Sequence, residues 1–212
     1  MKTNLVLYVC DTETTGISHI KGCEIIEISL YRLSDNTQKT WCLKPNNLAA
    51  IEQEALRING HKLDDLKHLT KLGVDTYKDP AAVVVEIENF MAEDCVSSGE
   101  RVLCGQNIIF DLNFIEKLWA DNNATDTFPF GKRPLLLDTK QIALFLDVAT
   151  GTKSEFYNLS SLVTKYGVKK EKAHRADSDT RVTKDILVKQ ISMVEQCFDR
   201  ALGKEYSQNW PH

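Results

Sequence analysis

Residues 5–16 read LVLYVCDTETTG, an unbroken apolar run from Leu5 to Cys10 that ends abruptly in Asp11-Thr12-Glu13-Thr14-Thr15-Gly16. Six apolar residues without polar alternation predict a strand covered on both faces, as in a parallel or mixed sheet flanked by helices. Residues two apart in a strand share a face, so Asp11 and Glu13 project together from its end. Two such carboxylates repel each other unless a cation stands between them. Gly16 permits a sharp exit that keeps this edge open. An isolated D-x-E arises about once by chance in a chain this long, and then reads most simply as two solvated turn acids. Its place after a buried strand, with two threonines and a glycine following, favours a site.

Working outward, residues 23–33 (CEIIEISLYRL) and 37–45 (TQKTWCLKP) carry β-branched and aromatic residues around a Ser34-Asp35-Asn36 turn, a hairpin pattern. Short amphipathic helices are predicted over 52–58 and 62–69, separated by Asn59-Gly60. Pro80 suits the first turn of a helix over 80–95. A strand over 101–107, a helix over 112–121, a strand over 134–139 and helices over 141–146, 158–166 and 176–202 follow. The order β-β-β-α-α-β-α-β-α-α-α predicts an α/β mixed sheet in which an antiparallel hairpin joins parallel crossovers.

Two further acidic segments stand at element boundaries. In GQNIIFD (105–111), Asp111 lies where a strand has ended and a helix begins, and Asn107 four residues earlier can reach a phosphate. As an aspartate at a helix start, Asp111 also fits a plain N-cap. In HRADSDT (174–180), Asp177 or Ser178 can cap the last helix and place Asp179 in its first turn, where the helix dipole favours negative charge. His174 precedes this helix in a loop. Each segment alone is ambiguous. Together, Asp11, Glu13, Asp111 and Asp179 with His174 meet the needs of phosphodiester hydrolysis: hard oxygen ligands for two magnesium ions and a base for the attacking water.

Composition bounds the rest. The 212 residues suit one α/β domain, over 1–205, with a short tail at 206–212. The formal charge of −4 excludes a strongly basic nucleic-acid coat. The opening apolar run ends in Asp11 after six residues and has no cleavage site, so it is no signal peptide, and no stretch reaches membrane-spanning length. Six scattered cysteines predict reduced, cytoplasm-like thiols in a protein that is not secreted.

The three segments resemble the DEDDh exonucleases, the family of DnaQ-like proofreading subunits, ribonuclease T and oligoribonuclease. D-x-E-T-T-G is matched at residues 11–16, N-I-I-F-D at 107–111, and His followed five residues later by Asp at His174 and Asp179. EIIEI (24–28), IEQEALRINGH (51–61), LLDT (136–139) and YNLSSL (157–162) fall in family order, so the likeness covers residues 4–200. The resemblance implies a ribonuclease-H-like fold with a five-stranded mixed sheet flanked by helices. It implies a 3′→5′ exonuclease releasing nucleoside 5′-monophosphates, with two Mg²⁺ or Mn²⁺ held by Asp11, Glu13, Asp111 and Asp179 and with His174 as base. Thr14, Thr15 and Gly16 would lie against the terminal nucleotide, Thr15 near its 3′ hydroxyl. Ile17 would wedge against the terminal base, and Asn107 and Phe110 would seat the scissile phosphate. Asn59 stands where many relatives have a histidine in contact with base or sugar.

The D-T-E-T-T-G form favours DNA 3′ ends as partner over RNA, with a DNA polymerase as a further candidate partner. RNA 3′-end trimming is the alternative, and a non-cutting end-binding module belongs to a different class. Lys165, Lys169, Lys170, Lys172 and Arg175, extended by Lys132 and Arg133, read either as a phosphate-tracking patch or as a solvated loop. Trp41 and Trp119 sit in apolar-periodic segments and are expected in the core, whereas Trp210 lies in the polar tail.

Overall fold

The computed structural model describes residues 4–67, 77–169 and 174–202. Six strands, β1 (Val6–Thr14), β2 (Ile25–Arg32), β3 (Thr37–Leu43), β4 (Tyr77–Lys78), β5 (Arg101–Gly105) and β6 (Leu135–Asp138), form one sheet in the order β4-β3-β2-β1-β5-β6. The hairpin β2–β3 and the pair β1–β2 are antiparallel, while β1–β5, β5–β6 and β3–β4 are parallel. The expected five strands become six because Tyr77-Lys78 adds a two-residue edge beside β3. Two residues are too few to show any alternation in sequence.

The helices are α1 (Gln53–Asn59), α2 (Leu63–Lys67), α3 (Pro80–Ala92), α4 (Ile109–Asp121), α5 (Thr139–Thr150), α6 (Leu159–Tyr166) and α7 (Ala176–Leu202). Among the described residues no helix is long and apolar enough to cross a membrane. Pro80 opens α3 as expected, with Asp79 accepting the Ala81 N–H. Side chains of β1 alternate: Tyr8 and Cys10 join Phe90, Met91, Leu112 and Trp119 from α3 and α4, whereas Leu7 and Val9 meet Leu187 and Ile142 from α7 and α5. Helices thus cover both faces of β1, the physical reason for its unbroken apolar run. Trp41 and Trp119 are both buried, their ring N–H groups donating to Glu86 and Glu88. The tail at 206–212, with Trp210, lies outside the described residues.

Two helices begin earlier than the sequence suggests. Asn107 adopts a positive φ of 61° and its carbonyl accepts the Phe110 N–H, so α4 begins at Ile109 rather than at residue 112. Asp111 therefore sits inside the first turn and is not its N-cap. Helix α5 extends over 139–150 because Asp138 caps it at Lys140. Leu144, Phe145 and Val148 on its exposed side obscure its amphipathic pattern.

Away from the carboxylate end of β1, Asp94 binds the buried Arg101 at 2.7 and 2.8 Å and accepts the Tyr8 hydroxyl at 2.7 Å. Asp94→Ala leaves that guanidinium unpaired and is expected to destabilise the fold by about 3–5 kcal/mol in urea unfolding. The double change Asp94→Leu/Arg101→Met should be milder, since no charge is then stranded. Equal losses would show that the ion pair is not what holds this end.

Candidate active site

The carboxyl end of β1 carries Asp11 and Glu13 on the face covered by α7, and Thr12 on the face covered by α4. From the α7 side, Asp179 meets the first two: one oxygen each of Asp11, Glu13 and Asp179 lie within 4.8 Å of one another. From the other side, Asp111 Oδ1 accepts both the Thr12 N–H at 2.9 Å and the Thr12 hydroxyl at 2.8 Å. The segments at 11–16, 107–111 and 174–179 therefore converge on one strand end. Asp111 stands outside the three-carboxylate cluster, yet its charge is the largest electrostatic influence raising Asp11.

Helix α7 starts at Ala176, so Asp177 and Ser178 lie within its first turn and do not cap it. Asp179 instead reaches back, accepting the His174 main-chain N–H at 2.9 Å. His174 adopts a positive φ of 63° and is exposed, and its charge opposes the upward shift of Asp179. Asp177 faces away and pairs with Arg181 at 3.3 Å.

A fifth carboxylate belongs to this neighbourhood, and the sequence reading passes over it. Glu27 pairs in register with Glu13 across β1–β2 and is fully buried. Directly opposed residues point to the same face, which brings Glu27 alongside the cluster. Its oxygens lie 3.2 Å from His61 Nε2 and 3.3 Å from Arg175 Nε. The one available signal was a charge inside the otherwise apolar run Ile25-Ile26-Glu27-Ile28. Just beyond, Glu13 pairs with Glu27 but Thr14 pairs with Ile25, leaving Ile26 as a bulge. Bulges of this kind re-aim side chains and recur beside active sites.

The expected substrate contacts divide. Ile17 is 78% exposed, an apolar side chain left in solvent. Gly16 leaves no room for a side chain, since a Cβ there would lie 2.6 Å from Cys23 Sγ and Glu52 Cδ. Phe110 is half-buried and stacks with Phe114 at 4.9 Å, and Asn107 is exposed. Two of the expected contacts have partners within the protein. Thr15 is completely buried and its hydroxyl accepts the Glu24 N–H at 2.9 Å, so that hydroxyl holds the turn. Asn59 is 5% exposed and donates to the Thr14 carbonyl at 3.1 Å, bracing the motif from behind. Thr14 turns its hydroxyl to the Gly16 carbonyl. Of the basic patch, Lys165 is tied to Asp147 and Arg175 to Glu27, while Lys170 and Lys172 lie outside the described residues.

Residues 8–187 match the family model RNase_T, described as exonuclease. The chain is 28% identical over 192 residues to the 3′-5′ exonuclease DinG of Staphylococcus haemolyticus, covering 89% of this chain and 18% of that protein. It is 25% identical over 195 residues to the PolC-type DNA polymerase III of Staphylococcus saprophyticus, covering 88% of this chain and 11% of that one. The chain thus spans less than a fifth of the length of either relative. Among solved structures, a zinc-bound complex of E. coli ExoI with single-stranded DNA superposes with a TM-score of 0.69 at 17% identity, over 92% of this chain and 42% of that one. Cell-death related nuclease 4 gives a TM-score of 0.67 at 16% identity, over 89% and 64%. The architecture is accordingly the ribonuclease-H-like α/β fold that the sequence resemblance implies.

Burial, with repulsion from neighbouring carboxylates, raises Asp11, Glu13, Asp111 and Asp179. Asp11 is pushed well above the usual carboxylate range by desolvation, then by the charges of Asp111, Glu13 and Asp179. Desolvation with Asp179 and Glu27 lifts Glu13 to about 8. Asp111 is lifted to about 7 by desolvation, against the opposing Thr12 hydrogen bonds. Asp179 is also raised by desolvation. Oxygen donors alone, crowded and undersolvated, fit a hard divalent cation such as Mg²⁺ or Mn²⁺. A carboxylate whose pKa is raised by folding stabilises the fold below its ordinary value of about 4, and this contribution is lost as pH rises through the raised value. In EDTA, the melting temperature is therefore expected to fall between about pH 5 and pH 8.5. Added Mg²⁺ or Mn²⁺ should restore it most at the alkaline end. A flat profile, unmoved by either ion, would refute the metal-cluster reading.

Proposed function

The chain belongs to the exonuclease family described by the RNase_T model, and from that premise we propose that it removes nucleotides from the 3′ ends of DNA, single-stranded or frayed, releasing nucleoside 5′-monophosphates. The observation that carries this reading is the convergence of Asp11, Glu13 and Asp179 at one strand end, with Asp111 fastened to Thr12 beside them. These four carboxylates would hold two Mg²⁺ or Mn²⁺ ions, which neutralise phosphate charge and make water a better nucleophile when bound.

The chain's own groups do the remaining work. His174 accepts the proton as a water oxygen bonds to phosphorus and the bond from phosphorus to the departing 3′ oxygen breaks. Its main-chain N–H is tied to Asp179, which anchors the backbone carrying the imidazole beside that carboxylate. Gly16 lets the turn pack against Cys23 and Glu52, where a Cβ would not fit, and the exposed Ile17 would lie under the terminal base. Phe110 and Asn107 border the phosphate from the β5 side. DNA as substrate, and a polymerase as a partner, draw support from the relative named DNA polymerase III and from the D-T-E-T-T-G motif.

Matched 5′-labelled DNA and RNA oligonucleotides, incubated with Mg²⁺ or EDTA, test the reading directly. A ladder shortening from the 3′ end, absent in EDTA and faster on DNA, is the expected result. A faster ladder on RNA would make the enzyme an RNA trimmer. Binding without shortening would make it an end-binding module. Asp11→Ala and Asp179→Ala should each lower the rate by at least about 10²–10³-fold with unchanged melting behaviour in EDTA at pH 5. His174→Ala should lower kcat about 10²–10⁴-fold at neutral pH and less at pH 9, where hydroxide is abundant. An unaltered pH–rate profile would remove His174 as the base.

A further inference from the structure

Beyond the catalytic cluster, a groove of about 490 Å³ opens between the carboxyl ends of β5 and β6 and the loop that leads into α6. Asn107, Lys140, Glu155, Phe156 and Asn158 are among its lining residues. Phe156 is 57% exposed, a large aromatic face left in solvent where burial would ordinarily be favourable.

Its loop is firmly held. Asp147 is buried and accepts from the Thr152 hydroxyl at 2.9 Å, the Ser154 N–H and hydroxyl at 2.9 and 2.7 Å, and the Tyr157 hydroxyl at 2.9 Å, with Lys165 as its ion-pair partner. The Gln106 amide donates to the Tyr157 carbonyl at 2.7 Å, fastening the loop to the exit of β5. Side chains on both sides of Phe156 are therefore fixed, and its ring is displayed by a braced loop.

The groove is linked to the carboxylate cluster through Asn107 and Asp138. Asp138 accepts the N–H of Asn107 at 3.0 Å and of Lys140 at 2.9 Å, and its charge acts on Asp111. Asn107 is the turn residue from which α4 and Asp111 begin. A chain whose terminal phosphate sits at the cluster thus finds an aromatic face and the ammonium of Lys140 along this edge. Those are the two groups that bind single strands without regard to sequence: a stacking platform for a base and a cation for the backbone. Glu155 opposes part of the Lys140 charge, so the stacking face dominates.

We infer that this groove holds nucleotides on the 5′ side of the scissile phosphate, with a base stacked on Phe156 and a backbone phosphate beside Lys140. The inference rests on the exonuclease reading above and adds the path of the strand to it. Its occupant is a single-stranded nucleic acid, and DNA and RNA share the recognising chemistry.

The test pairs two substrates with a binding measurement. Oligo(dT) and oligo(U) octamers reach the groove, whereas thymidine 5′-(p-nitrophenyl phosphate), with a single nucleoside, does not. In Phe156→Ala, KM for the preferred octamer should rise about tenfold, equivalent to about 1.4 kcal/mol, with kinetics on the chromogenic ester unchanged. Phe156→Trp should restore octamer KM, which a merely structural role would not require. Lys140→Ala should make octamer binding less salt-dependent, lowering the slope by about one. Fluorescence anisotropy with labelled octamers in EDTA reads the groove independently of cutting. If the wild type cleaves neither substrate, the exonuclease reading fails while anisotropy still decides the groove. If Phe156→Ala leaves octamer KM and anisotropy unaltered, the inference is overturned, and the exposed ring belongs to a protein-binding surface.

Discussion

Helices cover β1 on both faces, and this double cover dictates where each residue at its carboxyl end must look. Alternation sends Asp11 and Glu13 toward α7 and Thr12 toward α4, with no freedom to exchange them. Asp179 arrives on the first of these faces by its position in the opening turn of α7. Asp111 arrives on the second through the opening turn of α4, where Thr12 fastens it with two hydrogen bonds. A one-residue slip of β1 would reverse all three and bury the carboxylates among Phe90, Leu112 and Trp119. Core packing and site assembly are therefore one constraint, and the apolar run at residues 5–10 enforces both.

The same arrangement explains how Glu27 is tolerated. A fully buried carboxylate beside three others would be strongly unfavourable alone. His61 and Arg175 meet its oxygens from two directions, and Tyr77 in turn holds His61 Nδ1 at 2.5 Å. Arg175 also lowers Glu13, opposing the upward push of its acidic neighbours. Since Arg175 follows His174 directly in the chain, its link to Glu27 ties the loop bearing His174 to β2. The basic residue that looked like a phosphate guide is thereby engaged within the site wall.

Sequence legibility followed the range of the interactions concerned. Local signals were sufficient for β1, for the hairpin with its Ser34-Asp35-Asn36 turn, and for the Pro80 start of α3. The three acidic segments could be singled out because each lies at the end of such an element. Signals that depend on neighbours distant in the chain were lost or inverted. Asn107 conceals the start of α4 because its left-handed backbone substitutes for a conventional cap. Thr15 and Asn59, polar and near the motif, give no sign in the sequence that folding commits hydrogen bonds of theirs to Glu24 and Thr14. Glu27 reads as one charge in a strand, and only the register of β1 against β2 places it opposite Glu13.

A site of this kind works against the fold that carries it. Each of Asp11, Glu13, Asp111 and Asp179 would be more stable in water than where it stands, as their raised pKa values record. No element could relieve the crowding without withdrawing a carboxylate, because the four come from three separate segments held by packing. The surrounding hydrogen bonds therefore act mainly as restraints: Thr12 on Asp111, the His174 N–H on Asp179, Asn59 on Thr14. Each fixes a carboxylate or its backbone without neutralising its charge. A divalent cation held there would remove the repulsion those restraints oppose, so binding and local order would rise together. The polar residues most important to geometry thus stand just behind the carboxylates, as Thr12 and Asn59 do.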